Sequence, residues 1–211
     1  MKIFSHRGWA AGKGENTLAA FRRSNGAGLS GVEFDVRLGP KGAIVVSHDH
    51  TKDEGVLTLE QALEYLQTTA LELLIEFKEY SPAFFTRVVA LLDRYGVTDR
   101  STIFAFSGVS RHFPWEERRT VRLGIISQYP HHIKRDVKKY HPDMVLLGWV
   151  TKTERFLFKL VWSILSLAET TKKYPALRFV VGVAYNDSDV AWLAEKQSLY
   201  GVTRDNEQPL D

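Results

Sequence analysis

Residues 73–106, LLIEFKEYSPAFFTRVVALLDRYGVTDRSTIFAF, contain one complete strand, helix and strand in succession. Leu73–Phe77 is a mostly apolar run too short for a helix, and Thr102–Phe106 is a second run with β-branched and aromatic side chains. Between them, Ser81-Pro82 reads as a helix cap followed by a first-turn proline, where the missing N–H costs nothing. Phe84, Phe85, Val88, Leu91, Leu92 and Tyr95 then recur on one helical face, which stops at Gly96. Such a unit is the repeat of a parallel sheet with crossover helices.

The alternation extends to both ends of the chain. Further strands are predicted at Lys2–Ser5, Val32–Arg37, Arg122–Ser127, Met144–Trp149, Arg178–Tyr185 and Tyr200–Thr203, making eight with the two above. Ala43–Ser47 reads as an additional strand after the turn Gly39-Pro40-Lys41-Gly42, and Thr58 with Gln61 makes a capping box that starts a helix at Ala62, Leu63 and Leu66. Eight strands with intervening helices in 211 residues predict an α/β fold, a (β/α)₈ TIM barrel, as one domain over residues 1–211. An open doubly wound sheet competes with it, but no Gly-x-Gly-x-x-Gly turn or phosphate loop supports a nucleotide site.

Composition narrows the chemistry. Lys plus Arg number 28 against 25 for Asp plus Glu, and a net charge of +3 lacks the concentrated basic face of a nucleic-acid binder, so no nucleic-acid partner is expected. The absence of cysteine excludes disulfides, thiolate zinc sites and thiol nucleophiles, leaving oxygen or histidine ligands for any metal. No apolar leader follows Met1, and no run reaches the roughly 18 apolar residues of a spanning helix, so no transmembrane segment and a cytoplasmic location are expected.

Charged residues gather at strand ends. His6-Arg7 close the first strand, Glu33 and Asp35 lie on the second, His48 follows the extra strand, and Glu76 with Lys78 close the third. Residues two apart on a strand face the same side, so Glu33 pairs with Asp35 and Glu76 with Lys78 at one end of a barrel. Carboxylates among such apolar neighbours are costly to bury without a positive partner. One reading makes them barrel-lining salt bridges to Arg7, Arg37 and Lys78. The other, favoured by three acids and two histidines gathered at the barrel face where catalysis sits, is a hard divalent cation, Mg²⁺ or Ca²⁺.

His6-Arg7-Gly8, Glu15-Asn16-Thr17 with Ala20-Phe21, Glu33-Phe34-Asp35-Val36-Arg37, Gly42 through Val45-Val46-Ser47-His48-Asp49, and Ile75-Glu76-Phe77-Lys78 resemble, in order and spacing, the glycerophosphodiester phosphodiesterase family. The match is strongest over about residues 1–80. The resemblance implies a PLC-like phosphodiesterase barrel that cleaves a glycerol phosphodiester with a divalent metal. It implies Glu33, Asp35 and Glu76 as metal ligands, His6 and His48 as general acid and base, Arg7 and Lys78 as phosphate-binding groups, and Glu15 and Asn16 as residues shaping the site. Three departures stand out: the segment after His48-Asp49 is short where the family commonly carries an insertion, Val183-Ala184-Tyr185-Asn186 stands where the family has Trp-Thr-Val-Asn, and Arg204 separates Thr203 from Asp205. A more open pocket is therefore expected. Sphingomyelinase D-like barrels share the layout of two histidines and three acids and also lack the insertion. A lysophospholipase D-type phosphodiesterase acting on a lysophospholipid is thus an alternative to cleavage of a small phosphodiester, and a barrel that binds phosphorylated ligands without turnover is another.

Arg155–Ala168 is more apolar than a helix wetted on one side requires, which fits a packed barrel helix, a homodimer contact or weak membrane contact through residues 155–168. His131-His132 lack a carboxylate at ligand spacing and read as a loop or helix start. The mixed runs Glu116–Arg119 and Lys134–Lys139 read as solvated helix faces.

Overall fold

A computed structural model describes residues 1–116, 120–127, 129–149, 152–164, 167–196 and 198–206. Its strands are β1 (Lys2–Ser5), β2 (Gly31–Leu38), β3 (Ile44–Val46), β4 (Glu72–Phe77), β5 (Ser101–Phe106), β6 (Arg122–Ile126), β7 (Met144–Gly148), β8 (Arg178–Ala184) and β9 (Gly201–Arg204). The α-helices are α1 (Leu18–Gly26), α2 (Leu59–Leu66), α3 (Pro82–Arg94), α4 (Ser107–Ser110), α5 (Ile133–Tyr140), α6 (Lys152–Ile164), α7 (Leu167–Lys172) and α8 (Asp187–Ala194). The predicted starts at Thr58 and Ser81 are both present. Thr58 Oγ1 accepts from Gln61 N while Gln61 Oε1 accepts from Thr58 N, and Ser81 Oγ accepts from Phe84 N ahead of Pro82.

Eight strands run parallel in the order β1-β9-β8-β7-β6-β5-β4-β2, and the pairing of β1 with β2 closes them into a barrel. β3 is the exception, running antiparallel to the far end of β2. Val36 pairs with Phe77 of β4 on one edge and with Val46 of β3 on the other, so β3 shares the edge that β1 occupies lower down. This short extra strand delivers His48 to the mouth.

Side-chain alternation divides the core into two layers. Inside, Phe4, Leu74, Phe104, Met144 and Val180 fill the middle of the barrel. Outside, residues such as Phe34, Ile75, Ile103 and Val181 pack against the helices. At the end where the strands begin, Glu72 accepts hydrogen bonds from Lys2 and from the Tyr200 hydroxyl, and Arg178 lies over the Tyr200 ring at 4.6 Å. An ionic plug thus closes the bottom and leaves the opposite end for chemistry.

The apolar Arg155–Ala168 region is helical wherever it is described, in α6 and the start of α7, with residues 165–166 outside those described. His131 and His132 lie in a short helical turn ahead of α5, as expected. Lys134, Arg135, Lys138 and Lys139 are exposed on α5, whereas most of the Glu116–Arg119 run lies outside the described residues. No helix among the described residues is long and apolar enough to cross a membrane.

Candidate active site

The site grows from the ends of β1, β2 and β4. Arg7 follows β1 with φ 51°, in a backbone region that side chains disfavour, and the turn directs its N–H to Glu33 Oε2 at 2.9 Å. Asn16, at φ 56°, is held by a 2.7 Å bond from its N–H to the Arg7 carbonyl. Its side-chain amide donates to Asp35 Oδ2 at 2.9 Å, while its Oδ1 accepts from Asp35 N. Glu15 accepts from the Arg7 guanidinium at 3.0 Å. The loop after β1 thereby braces both acids of β2.

Glu33, Asp35 and Glu76 are all buried, and each offers an oxygen within 4.8 Å of the others. Lys78 Nζ lies 2.8 Å from Asp35 and 2.5 Å from Glu76, and Arg7 Nε lies 3.3 Å from Asp35. His6 Nε2 stands 4.0 Å from Glu33, while its Nδ1 meets Asp205 Oδ1 at 2.6 Å. His48 sits exposed on the rim, its Nδ1 2.9 Å from Asp49. Arg37 takes no part in pairing the acids; its guanidinium donates to the His48 carbonyl at 3.1 Å and so holds the rim loop.

The charges are unevenly compensated. Burial, helped by the nearby Asp35 and Glu76, pushes the Glu33 carboxyl up to about 8. Burial likewise raises Glu76, and Lys78 only partly offsets it. For Asp35 burial acts in the same direction but is outweighed by Lys78, Asn16 and Arg7, which hold it below the ordinary range. Burial would lower His6, yet the bond to Asp205 and the charge of Glu33 lift it above its usual value. Three acids therefore share two permanent cations, Arg7 and Lys78, in a centre short of positive charge.

His6, Arg7, Glu15, Glu33, His48, Glu76 and Lys78 all face one cavity of about 680 Å³. The pattern of the Glycerophosphoryl diester phosphodiesterase family matches residues 6–210. The chain belongs to that family. Glycerophosphodiester phosphodiesterases cleave phosphoric diesters, as the family's name states. One such protein, from Caldanaerobacter subterraneus subsp. tengcongensis, is 30% identical over 165 residues, covering 67% of this chain and 63% of its own. The chain thus spans a little under two thirds of that relative's length. Another, from Bacillus altitudinis, is 27% identical over 193 residues, covering 72% of this chain and 78% of its own. The solved structure of an Oleispira antarctica phosphodiesterase in complex with the product sn-glycerol-3-phosphate has a TM-score of 0.70 at 17% identity, over 97% of this chain and 92% of that one, and shares the barrel fold.

Within this family member, all nine residues singled out in the sequence gather at one mouth. Asn16 and Asp35 are buried beside the residues that face the cavity. Two further residues were missed. Asp205 holds His6 from 199 positions away; in the sequence it stood out only as the acid that Arg204 separates from Thr203, two residues past the last predicted strand, with no role attached. Trp149, just past β7, is a cavity wall whose buried Nε1 has no hydrogen-bond partner among the described residues. An indole therefore lines this cavity from the residue after β7, and Val183 lines it from β8. Gly148 and Gly182 make room at the same wall, because a Cβ on Gly148 would meet the Gly182 carbonyl oxygen at 1.5 Å. Among the described residues, none of positions 49–57 lines the cavity, so the short loop after His48 leaves that side uncovered.

Proposed function

We propose that the protein is a metal-dependent phosphoric diester hydrolase that cleaves glycerophosphodiesters to glycerol 3-phosphate and an alcohol. The buried Glu33, Asp35 and Glu76 cluster, set beside Arg7, Lys78 and His6 in one cavity, carries this reading. The donor set fits a hard divalent cation: all three groups offer oxygen, and Ca–O bonds of about 2.3–2.6 Å allow ligand atoms to lie up to roughly 5 Å apart. With their oxygens all within 4.8 Å of one another, Glu33, Asp35 and Glu76 would hold either Mg²⁺ or Ca²⁺. When bound, the cation supplies Lewis-acid polarisation of a phosphoryl oxygen.

The chain's own groups perform the remaining steps. Arg7 and Lys78 meet the phosphate charge and stabilise the extra negative charge of the transition state. One of His6 and His48 accepts the proton of a glycerol hydroxyl as its oxygen attacks phosphorus, and the other protonates the departing alcohol oxygen. A cyclic phosphate results, which water opens by the reverse proton transfers to give glycerol 3-phosphate. Asn16 and Glu15 keep Asp35 and Arg7 in register throughout.

A second substrate is favoured by the other half of the cavity, where Trp149, Phe158, Leu157, Val161 and Tyr129 form an apolar wall. That wall suits a phosphodiester bearing an acyl chain, as in a lysophospholipid, with lysophosphatidate or a cyclic lysophosphatidate as product. Phosphorus NMR tests both, using glycerophosphocholine and lysophosphatidylcholine, each with Mg²⁺ or Ca²⁺, and Glu76→Ala as control. Metal-dependent glycerol 3-phosphate that Glu76→Ala abolishes is the expected result. Turnover of the lipid alone selects the second reading. Silence on both substrates overturns hydrolysis and leaves a phosphate-binding barrel.

A further inference from the structure

One helix of the mouth presents three faces, and only two are explained by the fold and the cavity. α6 is anchored by Phe158 and Trp162, which are buried, and by Arg155 and Lys159, which both reach Asp189 at the start of α8. Glu154, Leu157, Phe158 and Val161, spaced i, i+3, i+4 and i+7, face the cavity. The remaining arc carries Phe156, Leu160 and Ile164 at i, i+4 and i+8, with Phe156 69% and Ile164 67% exposed. Leu157 belongs to both the outer arc and the cavity face, so apolar surface runs unbroken from solvent into the cavity.

This concentration is specific to the mouth. Apart from Met1 and Leu38, the large exposed apolar side chains among the described residues all lie on α6 or, as Phe106 and Tyr129, on the cavity rim. A patch of that kind, contiguous and beside a binding cavity, marks an interaction surface. We infer that the outer face of α6, with the Phe106 and Tyr129 rim, seats on a lipid surface and presents the mouth to an amphiphilic phosphodiester lying in it.

The continuity of the patch selects this occupant over a second copy of the chain. A protein partner covering Leu157, Phe106 and Tyr129 would close the mouth through which substrate enters. A lipid surface instead places phosphodiester groups at the level of Arg7 and Lys78 and acyl chains at the apolar wall. One exposed cation lies near the rim in sequence: Lys134, in the first turn of α5, is four residues after the rim residue Pro130. The surface is an amphipathic helix lying in the interface rather than a spanning one.

The inference rests on the phosphodiester reading of the cavity only for the identity of the lipid, and its test separates the two. Co-sedimentation is measured with vesicles of phosphatidylcholine and of phosphatidylcholine mixed with phosphatidylglycerol, for the wild type and for Phe156→Ser/Leu160→Ser/Ile164→Ser, alongside hydrolysis of dissolved glycerophosphocholine. The wild type is expected to bind, more strongly to the anionic vesicles, and the triple variant to lose about tenfold or more of that binding with unchanged hydrolysis in solution. Wild-type protein that stays in the supernatant with both vesicles overturns the inference, as does a triple variant that binds equally well. A wild-type dimer in light scattering that the triple substitution converts to monomer also overturns it and assigns the face to a second copy. Wild-type protein that binds the vesicles but does not hydrolyse glycerophosphocholine would instead count against the reading of the cavity and leave the inference standing.

Discussion

Asp205 illustrates what a single residue can do at a distance. Its carboxylate takes one ring nitrogen of His6 at 2.6 Å, which fixes the ring so that Nε2 faces Glu33 and the cavity. The contact was not legible in the sequence because it depends on β9 lying beside β1, a pairing across nearly the whole chain. Glu33, Asp35 and Glu76 were legible because each sits on a strand whose alternation alone predicts its direction. Asp205→Ala is expected to lower kcat about ten- to a hundredfold with KM nearly unchanged, because His6 loses its orientation and not its chemistry. Asp205→Asn, which keeps an acceptor, is expected to recover part of that loss; equal activity for all three proteins in steady-state kinetics would remove Asp205 from the mechanism. Trp149 supports a parallel expectation. A buried indole N–H normally has a partner, and this one has none among the described residues and lies in the cavity wall. Trp149→Phe is expected to raise KM by about two- to tenfold, the worth of one neutral hydrogen bond, with kcat nearly unchanged.

At the scale of elements, the sequence was clearest where local chemistry decides the outcome. Ser81-Pro82 and the Thr58/Gln61 box start α3 and α2 because caps need only neighbours within one turn. The apolar Arg155–Ala168 stretch was ambiguous for the opposite reason: its excess of apolar residues reflects two partners for α6, the barrel and the cavity, plus an outer face, and composition alone does not separate them. What fixes α6 is a polar clamp. Asp189 is fully buried and binds Arg155 at 3.0 Å, Lys159 at 2.8 Å and the Tyr185 N–H at 3.2 Å. Burial alone would raise its pKa, but Lys159, the Tyr185 N–H and Arg155 outweigh this and hold it below the usual carboxylate range. Asp189→Ala is expected to cost about 2–3 kcal/mol, below the range for breaking a fully buried pair because Arg155 and Lys159 reach water. Because the folded carboxyl titrates below the unfolded one, its contribution is complete above the unfolded value of about 4 and is lost as pH falls through the folded value. Thermal unfolding of the wild type should therefore fall more steeply on the acid side than that of Asp189→Asn; equal slopes would show that the clamp is not charged.

The whole molecule depends on a closure that no local signal announces. Eight strands make a barrel only if β1 pairs with both β2 and β9, and those seams are held from within by one aromatic ring. Phe4 occupies the space that side chains at Gly31 and Gly201 would fill: a Cβ on Gly201 would come within 2.5 Å of the ring, and one on Gly31 within 2.6 Å. Both glycines are the first residues of their strands, β2 and β9, and their shared purpose appears only once the ends of the chain meet. Gly201→Ala should therefore overpack the seam and cost about 1–3 kcal/mol. Phe4→Leu, which removes ring atoms from the inner core, should also be destabilising by about 1–3 kcal/mol. If the two positions compete for the same volume, the double variant will be less destabilised than the sum, by about 1 kcal/mol, because the alanine methyl enters space the ring has vacated. Urea unfolding of the four proteins measures that coupling. Strict additivity would mean that Gly201 is required by its backbone alone, and that Phe4 fills the barrel without helping to close it.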